Sequence, residues 1–283
     1  MIISVASGKG GTGKTTISTN LAMSLAIAGQ QVQYLDCDAE EPNGHIFLKP
    51  NIETTEDVTV GVPEVDLKKC TGCGKCGQLC QYCAIISSQN DVLVFENLCH
   101  SCGGCIAICP SGAITEKQRK IGTAQFGKSN GVYFGRGKLD IGAIQTPALI
   151  RHIKKQIQED IINIIDAPPG TSCPVITAVK GSDFVLLVTE PTPFGLNDLE
   201  LAVGMIRQLK IPFAVAINRN GIGDDSVINY CKKENIEVLL QIPDDRKIAE
   251  NYSRGVMIVE AIPDYRQKFL KLYEDIQKLR KNL

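Results

Sequence analysis

The chain has 283 residues, 30 basic and 31 acidic side chains, and a formal net charge of −1. That length suits one large domain plus a small one, and the near balance of charge gives no electrostatic ground for a nucleic-acid partner or a like-charged tail. No uncharged apolar stretch could span a bilayer and the chain opens on an apolar strand without a charged leader, so a soluble cytoplasmic protein is the expectation.

Short apolar strands alternate with helical patterns, the signature of βαβ units and a parallel sheet. Strands are expected at Ile2–Ala6, Gln31–Asp36, Ile161–Asp166, Phe184–Thr189, Phe213–Asn218 and Glu237–Ile242. Ile17, Leu21 and Leu25 recur at helical spacing before Gly29 stops the first helix, and Leu149, Ile153 and Ile157 recur likewise in a segment ending near Asp160.

Between the first strand and the first helix lies Gly8-Lys9-Gly10-Gly11-Thr12-Gly13-Lys14-Thr15-Thr16. This is the context of a phosphate-binding loop. Its glycines let backbone N–H groups approach phosphates, Lys14 places a charge on the β and γ groups, and Thr15 offers a hydroxyl to magnesium. Asp36-Cys37-Asp38 and Asp166-Ala167-Pro168-Pro169-Gly170 end two further strands, where open α/β sheets bind ligands.

From about Thr59 to Lys117 the pattern changes. Val58, Val60, Val62 and Val65 nearly alternate, Cys and Gly become dense, and long helical periodicity disappears, as in an insertion. The only clear internal repeat lies here: Cys70-x2-Cys73-x2-Cys76-x3-Cys80 and Cys99-x2-Cys102-x2-Cys105-x3-Cys109-Pro110. Three thiolates so spaced hold three irons of a cubane, and the fourth ligates the other cluster, which makes two 4Fe-4S clusters the expected content. Twelve cysteines could also suggest a disulfide scaffold, but eight have cluster spacing beside a nucleotide loop, so ligation accounts for them better. Zinc is the other competitor; four-cysteine zinc sites need no third and fourth cysteine at these offsets. Gly122 to Gly142 then reads as a hairpin and connector carrying Val132, Tyr133 and Phe134.

Lys-Gly-Gly-x-Gly-Lys-Thr-Thr, with Lys9 as its first lysine, resembles the deviant Walker A loop of the MinD, ParA and Mrp superfamily of ATPases. The resemblance implies a doubly wound, mostly parallel α/β sheet in residues 1–57 and 120–283. It also implies an ATP-dependent homodimer in which Lys9 reaches the phosphates of the partner's nucleotide. Asp38 then orients or activates the attacking water, Asp166 is the Walker B carboxylate near magnesium, and Asn218, followed by Arg219, recognises adenine, with Pro243 a weaker candidate for that pocket. Such roles suit phosphoryl transfer, which relies on positioning and charge stabilisation.

Residues 58–119 resemble a small α+β two-cluster ferredoxin domain. Crossed ligation carried over from that family gives one cluster to Cys70, Cys73, Cys76 and Cys109, and the other to Cys99, Cys102, Cys105 and Cys80. Gln81 stands where the first run would carry proline, and Cys83 replaces a common glycine. Spacing favours Cys80 over Cys83 as the fourth ligand. Of the remaining cysteines, Cys37 and Cys231 read as buried residues, and Cys173 falls in a segment resembling switch II.

The C-terminal segment puts Phe269, Leu272, Ile276, Leu279 and Leu283 on one helical face, and with Glu274 and Asp275 diluting its basic side, packing on the sheet is favoured over a membrane. The leading functional expectation is Mg-ATP hydrolysis coupled to electron transfer through the two clusters. Iron–sulfur cluster carriage or metallocofactor assembly is the alternative, and either requires a redox or assembly partner.

Overall fold

The computed structural model describes residues 1–88 and 91–281. Two compact units divide the chain. One comprises Met1–Thr55, Ala124–Lys138 and Ile150–Leu283, and the other Glu56–Thr123 with Leu139–Leu149.

The first unit is built on parallel strands β1 (Ile2–Ser7), β2 (Val32–Asp36), β7 (Val132–Leu139), β8 (Ile162–Pro169), β9 (Phe184–Thr189), β10 (Phe213–Asn220) and β11 (Val238–Pro243). With β3 (Asn51–Val65) and β6 (Ile114–Ser129), the sheet order is β11-β10-β9-β1-β8-β2-β7-β6-β3. The central strands are buried along their length, which is why they read as continuous apolar runs. β6 and β7 form the expected hairpin, turned by Asn130 and Gly131 at φ of 45° and 85°, the left-handed pair a two-residue hairpin loop demands.

Helix α1 (Lys14–Ile27) lies within the core, with Ile17, Leu21 and Leu25 buried. Its stop is at Gly29, which takes φ 83° while its N–H bonds to Ala26 O and Gln30 N–H bonds to Leu25 O. Helix α5 (Thr146–Lys154) ends six residues before the expected Asp160, leaving Ile157 outside it. The reason is local competition: Gln33 captures the carbonyl of Gln156 at 2.9 Å, and Gln33 and Asn163 side chains accept from Gln158 N–H at 3.3 Å. Strands β8 and β10 outrun their expected ends, reaching Pro169 and Asn220.

Helix α11 (Tyr265–Lys281) buries Tyr265, Phe269, Leu272 and Ile276, so its apolar face is used in packing against α1 and β11. Leu283 lies outside the described residues. Among those residues no helix is long and apolar enough to cross a membrane.

The second unit carries helices α3 (Lys75–Leu79) and α4 (Gly104–Ile108), and the antiparallel pair β4 (Ile85–Ser87) and β5 (Val92–Val94). Its small core is Cys76, Ile85 and Ile114, with Val65, Val92 and Val94 packed around them.

Phe269 is fully buried in the main core. Phe269→Ala should destabilise the protein by about 3–5 kcal/mol, read from the denaturant midpoint at unchanged m-value.

Candidate functional site

The loop between β1 and α1 opens a cleft of about 780 Å³ at the carboxyl ends of the strands. Gly10, Gly11, Gly13, Lys14, Thr15 and Thr16 line it with Asp38, Glu40, Glu41 and Asn43, and Pro168, Asn218, Arg219, Pro243 and Tyr252 are among the other lining residues. Gly13 caps α1 at φ 92°, with no side chain bonded to the first turn. The N–H groups of that turn are therefore unspent by any cap, and the helix dipole favours an anion there. A Cβ on Gly13 would stand 2.2 Å from Asn218 Nδ2, and one on Gly8 would stand 2.1 Å from Asp198 O. Both close approaches admit only glycine.

Asp36, the last residue of β2, is in register with Asp166 within neighbouring β8, and both are fully buried. Asp36 accepts from the N–H of Gly44 at 2.8 Å, and Asp166 Oδ2 accepts from the Tyr34 hydroxyl at 2.8 Å. Burial, then their mutual repulsion, pushes Asp36 well above the usual carboxylate range; burial raises Asp166 too, opposed by Lys14 and by the neighbouring Thr15 hydroxyl. Among the described residues Asp166 Oδ1 is buried and has no hydrogen-bond partner. An orphaned buried carboxyl oxygen beside Lys14 and Thr15 fits a magnesium site, since a cation supplies what the protein leaves out. Asp38 sits at the cleft wall, and burial raises it from 3.8 to about 6 against the pull of Lys14.

Lys9 does not line this cleft. Its ammonium pairs with Glu190 at 3.7 Å, Glu190 also pairs with Arg219 at 3.5 Å, and Arg219 donates to Asp244 at 3.0 Å. Asn218 donates its amide to the Thr12 carbonyl at 3.0 Å, which ties the end of β10 to the glycine-rich loop. Sequence reasoning placed Asp36 at a ligand-binding strand end without giving it a role, and it missed Tyr34, Glu190 and Tyr252. The pairing of two strand-end aspartates was available as a signal for Asp36. Glu190 and Tyr252 carried none, because they arrive from distant segments.

In the second unit the two cysteine runs adopt one local structure twice. Cys80 and Cys109 end α3 and α4 with nearly the same backbone angles, φ −73°, ψ 104° and φ −71°, ψ 110°. Left-handed residues recur in register: Gly72 with Ser101, Gly74 with Gly103, and Cys83 with Gly112. Burial pushes the Cys80 thiol up slightly, but N–H groups of Tyr82, Ala84 and Ile85 outweigh it and bring it below its usual value. Cys109 is lowered in the same way, by the Ser111 hydroxyl and N–H groups of Ala113, Ser111 and Ile114. Cys83 takes the glycine-like position, and its side chain is exposed.

Cys70, Cys73, Cys76 and Cys109 line a common cavity with Thr71 and Ser111. Burial, then the neighbouring Cys99 and Cys102 thiols, raises Cys105. Ser101 N–H points at Cys99 Sγ at 3.4 Å, and the Ser101 hydroxyl is buried without a partner among the described residues. Among those residues no three or more His, Cys, Asp or Glu are arranged around a single-ion point. A soft donor set with N–H groups aimed at sulfur fits iron–sulfur ligation. Cys37 and Cys231 are buried, and Cys173 is exposed at the start of α6 (Cys173–Val179).

Residues 3–258 match the CobQ/CobB/MinD/ParA nucleotide binding domain family. The chain belongs to that family. An uncharacterized protein of Methanocaldococcus jannaschii is 33% identical over 258 residues, covering 90% of this chain and 90% of its own. An iron-sulfur cluster carrier protein of Pyrococcus abyssi is 25% identical over 278 residues, covering 91% of this chain and 78% of its own. The fold is similar to the septum site-determining protein MinD from Pyrococcus horikoshii, solved with Mg-ADP, at TM-score 0.62 and 22% identity, covering 98% of this chain and 96% of that one.

Because Asp38 binds its proton more tightly folded than unfolded, its stabilising contribution is complete below about pH 4 and disappears as pH rises through about 6. The unliganded protein should lose stability relative to Asp38→Asn across that window, measured by denaturant unfolding at several pH values. Above pH 7 the difference should be constant.

Proposed function

We propose that this chain is a magnesium-dependent ATPase that carries iron–sulfur clusters on its cysteine unit and uses nucleotide turnover to govern their transfer to an acceptor protein. The supporting observation is the repeated helix-end geometry at Cys80 and Cys109, with Cys70, Cys73, Cys76 and Cys109 around one cavity, in a chain that matches a nucleotide-binding domain. Likeness to iron-sulfur cluster carrier proteins over most of the chain favours carriage over electron transfer.

In this reading the α1 N-terminus and Lys14 receive the β and γ phosphates. Thr15 and Asp166 hold magnesium, which would neutralise charge developing on the phosphoryl oxygens. Asp38 orients a water for in-line attack on the γ-phosphorus. The bond to the β,γ-bridging oxygen breaks, giving ADP and inorganic phosphate, and Asp38, poised near 6, is suited to accept the water's proton. Asn218, Arg219 and Pro243 wall the base pocket. Lys9 completes the site in an ATP-bound homodimer by leaving Glu190 for the phosphates of the other protomer.

A second reading keeps the clusters in place as two 4Fe-4S redox centres that pass electrons to a partner as nucleotide state changes. The ferredoxin-type spacing of both runs and the shared cavity of Cys70, Cys73, Cys76 and Cys109 favour it. Anaerobically reconstituted protein mixed with an apo 4Fe-4S acceptor separates the two. Carriage predicts that Mg-ATP changes the rate at which the acceptor gains its cluster absorbance while the donor loses iron, and that Lys14→Ala removes this dependence. Full retention of iron by the donor through many turnovers would overturn carriage and leave the redox reading.

Lys14→Ala should abolish nucleotide binding, whereas Lys9→Ala should bind ATP and turn over at least about 100-fold more slowly, the scale of a lost charge on the transferring phosphoryl group. Phosphate release under steady state measures both.

A further inference from the structure

The two cysteine sites share a local fold but differ in what closes them. The segment bringing Cys80 carries Tyr82, and the segment bringing Cys99 carries His100; their rings stack with centroids 3.6 Å apart and planes 17° apart. At the corresponding positions of the other site stand Ser111, two residues after Cys109, and Thr71, one after Cys70. Both of these border the cavity of Cys70, Cys73, Cys76 and Cys109, and the Ser111 hydroxyl lies 3.7 Å from Cys109 Sγ. A second tie acts on the Cys99 side. Buried Gln145 donates to the Cys99 carbonyl at 2.6 Å and leaves Cys99 buried, while Cys70 is partly open.

In a crossed arrangement each site joins a triad from one run to a fourth thiol from the other, so a site opens when those two segments part. The ring stack clamps the two segments of the Cys80, Cys99, Cys102 and Cys105 site. Both sites share a backbone tie, Phe95 N–H to the Ala84 carbonyl here and Asp66 N–H to the Ala113 carbonyl at the other, each 2.8 Å, but among the described residues the other site has hydroxyl side chains where this one has the ring stack. We infer that the sites are functionally unequal: the Cys70, Cys73, Cys76 and Cys109 site is the exchangeable one, and the site clamped by Tyr82, His100 and Gln145 retains its cluster. This rests on the reading of the cysteines as cluster ligands. It also reconciles cargo with a permanent redox centre, because one unit can hold both.

The test is anaerobic release of iron from the reconstituted full-length protein to a strong ferrous chelator, followed by the colour of the complex. Two phases of equal amplitude are expected. Cys73→Ser should remove the fast phase, and Cys102→Ser the slow one. Replacing the clamp by the residues of the other repeat, Tyr82→Ser with His100→Thr, should speed the slow phase about three- to tenfold, the range a lost aromatic pair implies. Tyr82→Phe, which keeps the ring, should leave it slow. A single phase in the wild type, or a slow phase indifferent to the double substitution, overturns the inequality while leaving cluster binding intact. Failure to incorporate iron and acid-labile sulfide at all would instead overturn the underlying reading of the cysteines.

Discussion

Two buried carboxylates, Asp36 and Asp166, stand in register on neighbouring parallel strands with Lys14 as the nearby cation, and the nucleotide site is organised around that imbalance. Adjacent strands lie about 4.8 Å apart, and two full charges at that spacing would repel by on the order of 3 kcal/mol at an effective dielectric of 20, which helps hold Asp36 above its usual range. The protein relieves part of this with Tyr34 and the Gly44 N–H, and leaves Asp166 Oδ1 without a partner. A fold selected for stability alone would not keep such a pair. The arrangement makes sense when a divalent cation and a phosphate chain complete it. Gly13, the left-handed cap of α1, and the close approach of Asn218 then follow as means of bringing backbone donors to the same point.

The cysteine unit applies a different constraint. Thiols become good ligands when N–H groups stabilise their negative charge, and helix ends followed by a left-handed residue supply those groups at fixed offsets. The unit meets this twice, at Cys80 and at Cys109, despite Gln81 in place of a proline and Cys83 in place of glycine. Backbone geometry is thus kept where the side chains have diverged. That divergence distinguishes the sites, since a stacked Tyr82–His100 pair stands where the other repeat has hydroxyls.

Much of this was legible in the sequence because it is local. The strands at Phe184–Thr189 and Ile2–Ser7 are apolar runs bounded by turn formers, and the phosphate loop and cysteine runs have fixed spacings. What escaped was set by tertiary partners. Apolar spacing carried the helix expectation past Lys154 to Ile157, but the side chains of Gln33 and Asn163, from other strands, take the backbone groups that would have continued it. Lys9 was read only for a contact between protomers; within its own chain it pairs with Glu190, from a loop far along the sequence. Leu139–Leu149 clusters with the cysteine unit through contacts such as Gln145 with Cys99, although its composition resembles a plain connector.

The central claim is that a metal–nucleotide pair completes the charge arrangement at Asp36 and Asp166, and thermal unfolding tests it most directly. Mg-ATP at saturating concentration should raise the Tm by several degrees, whereas ATP with the magnesium chelated should raise it little, because the orphaned Asp166 oxygen then meets only negative charge. Asp166→Asn should bring the two conditions together. Equal stabilisation by ATP with and without magnesium in the wild type would contradict the account.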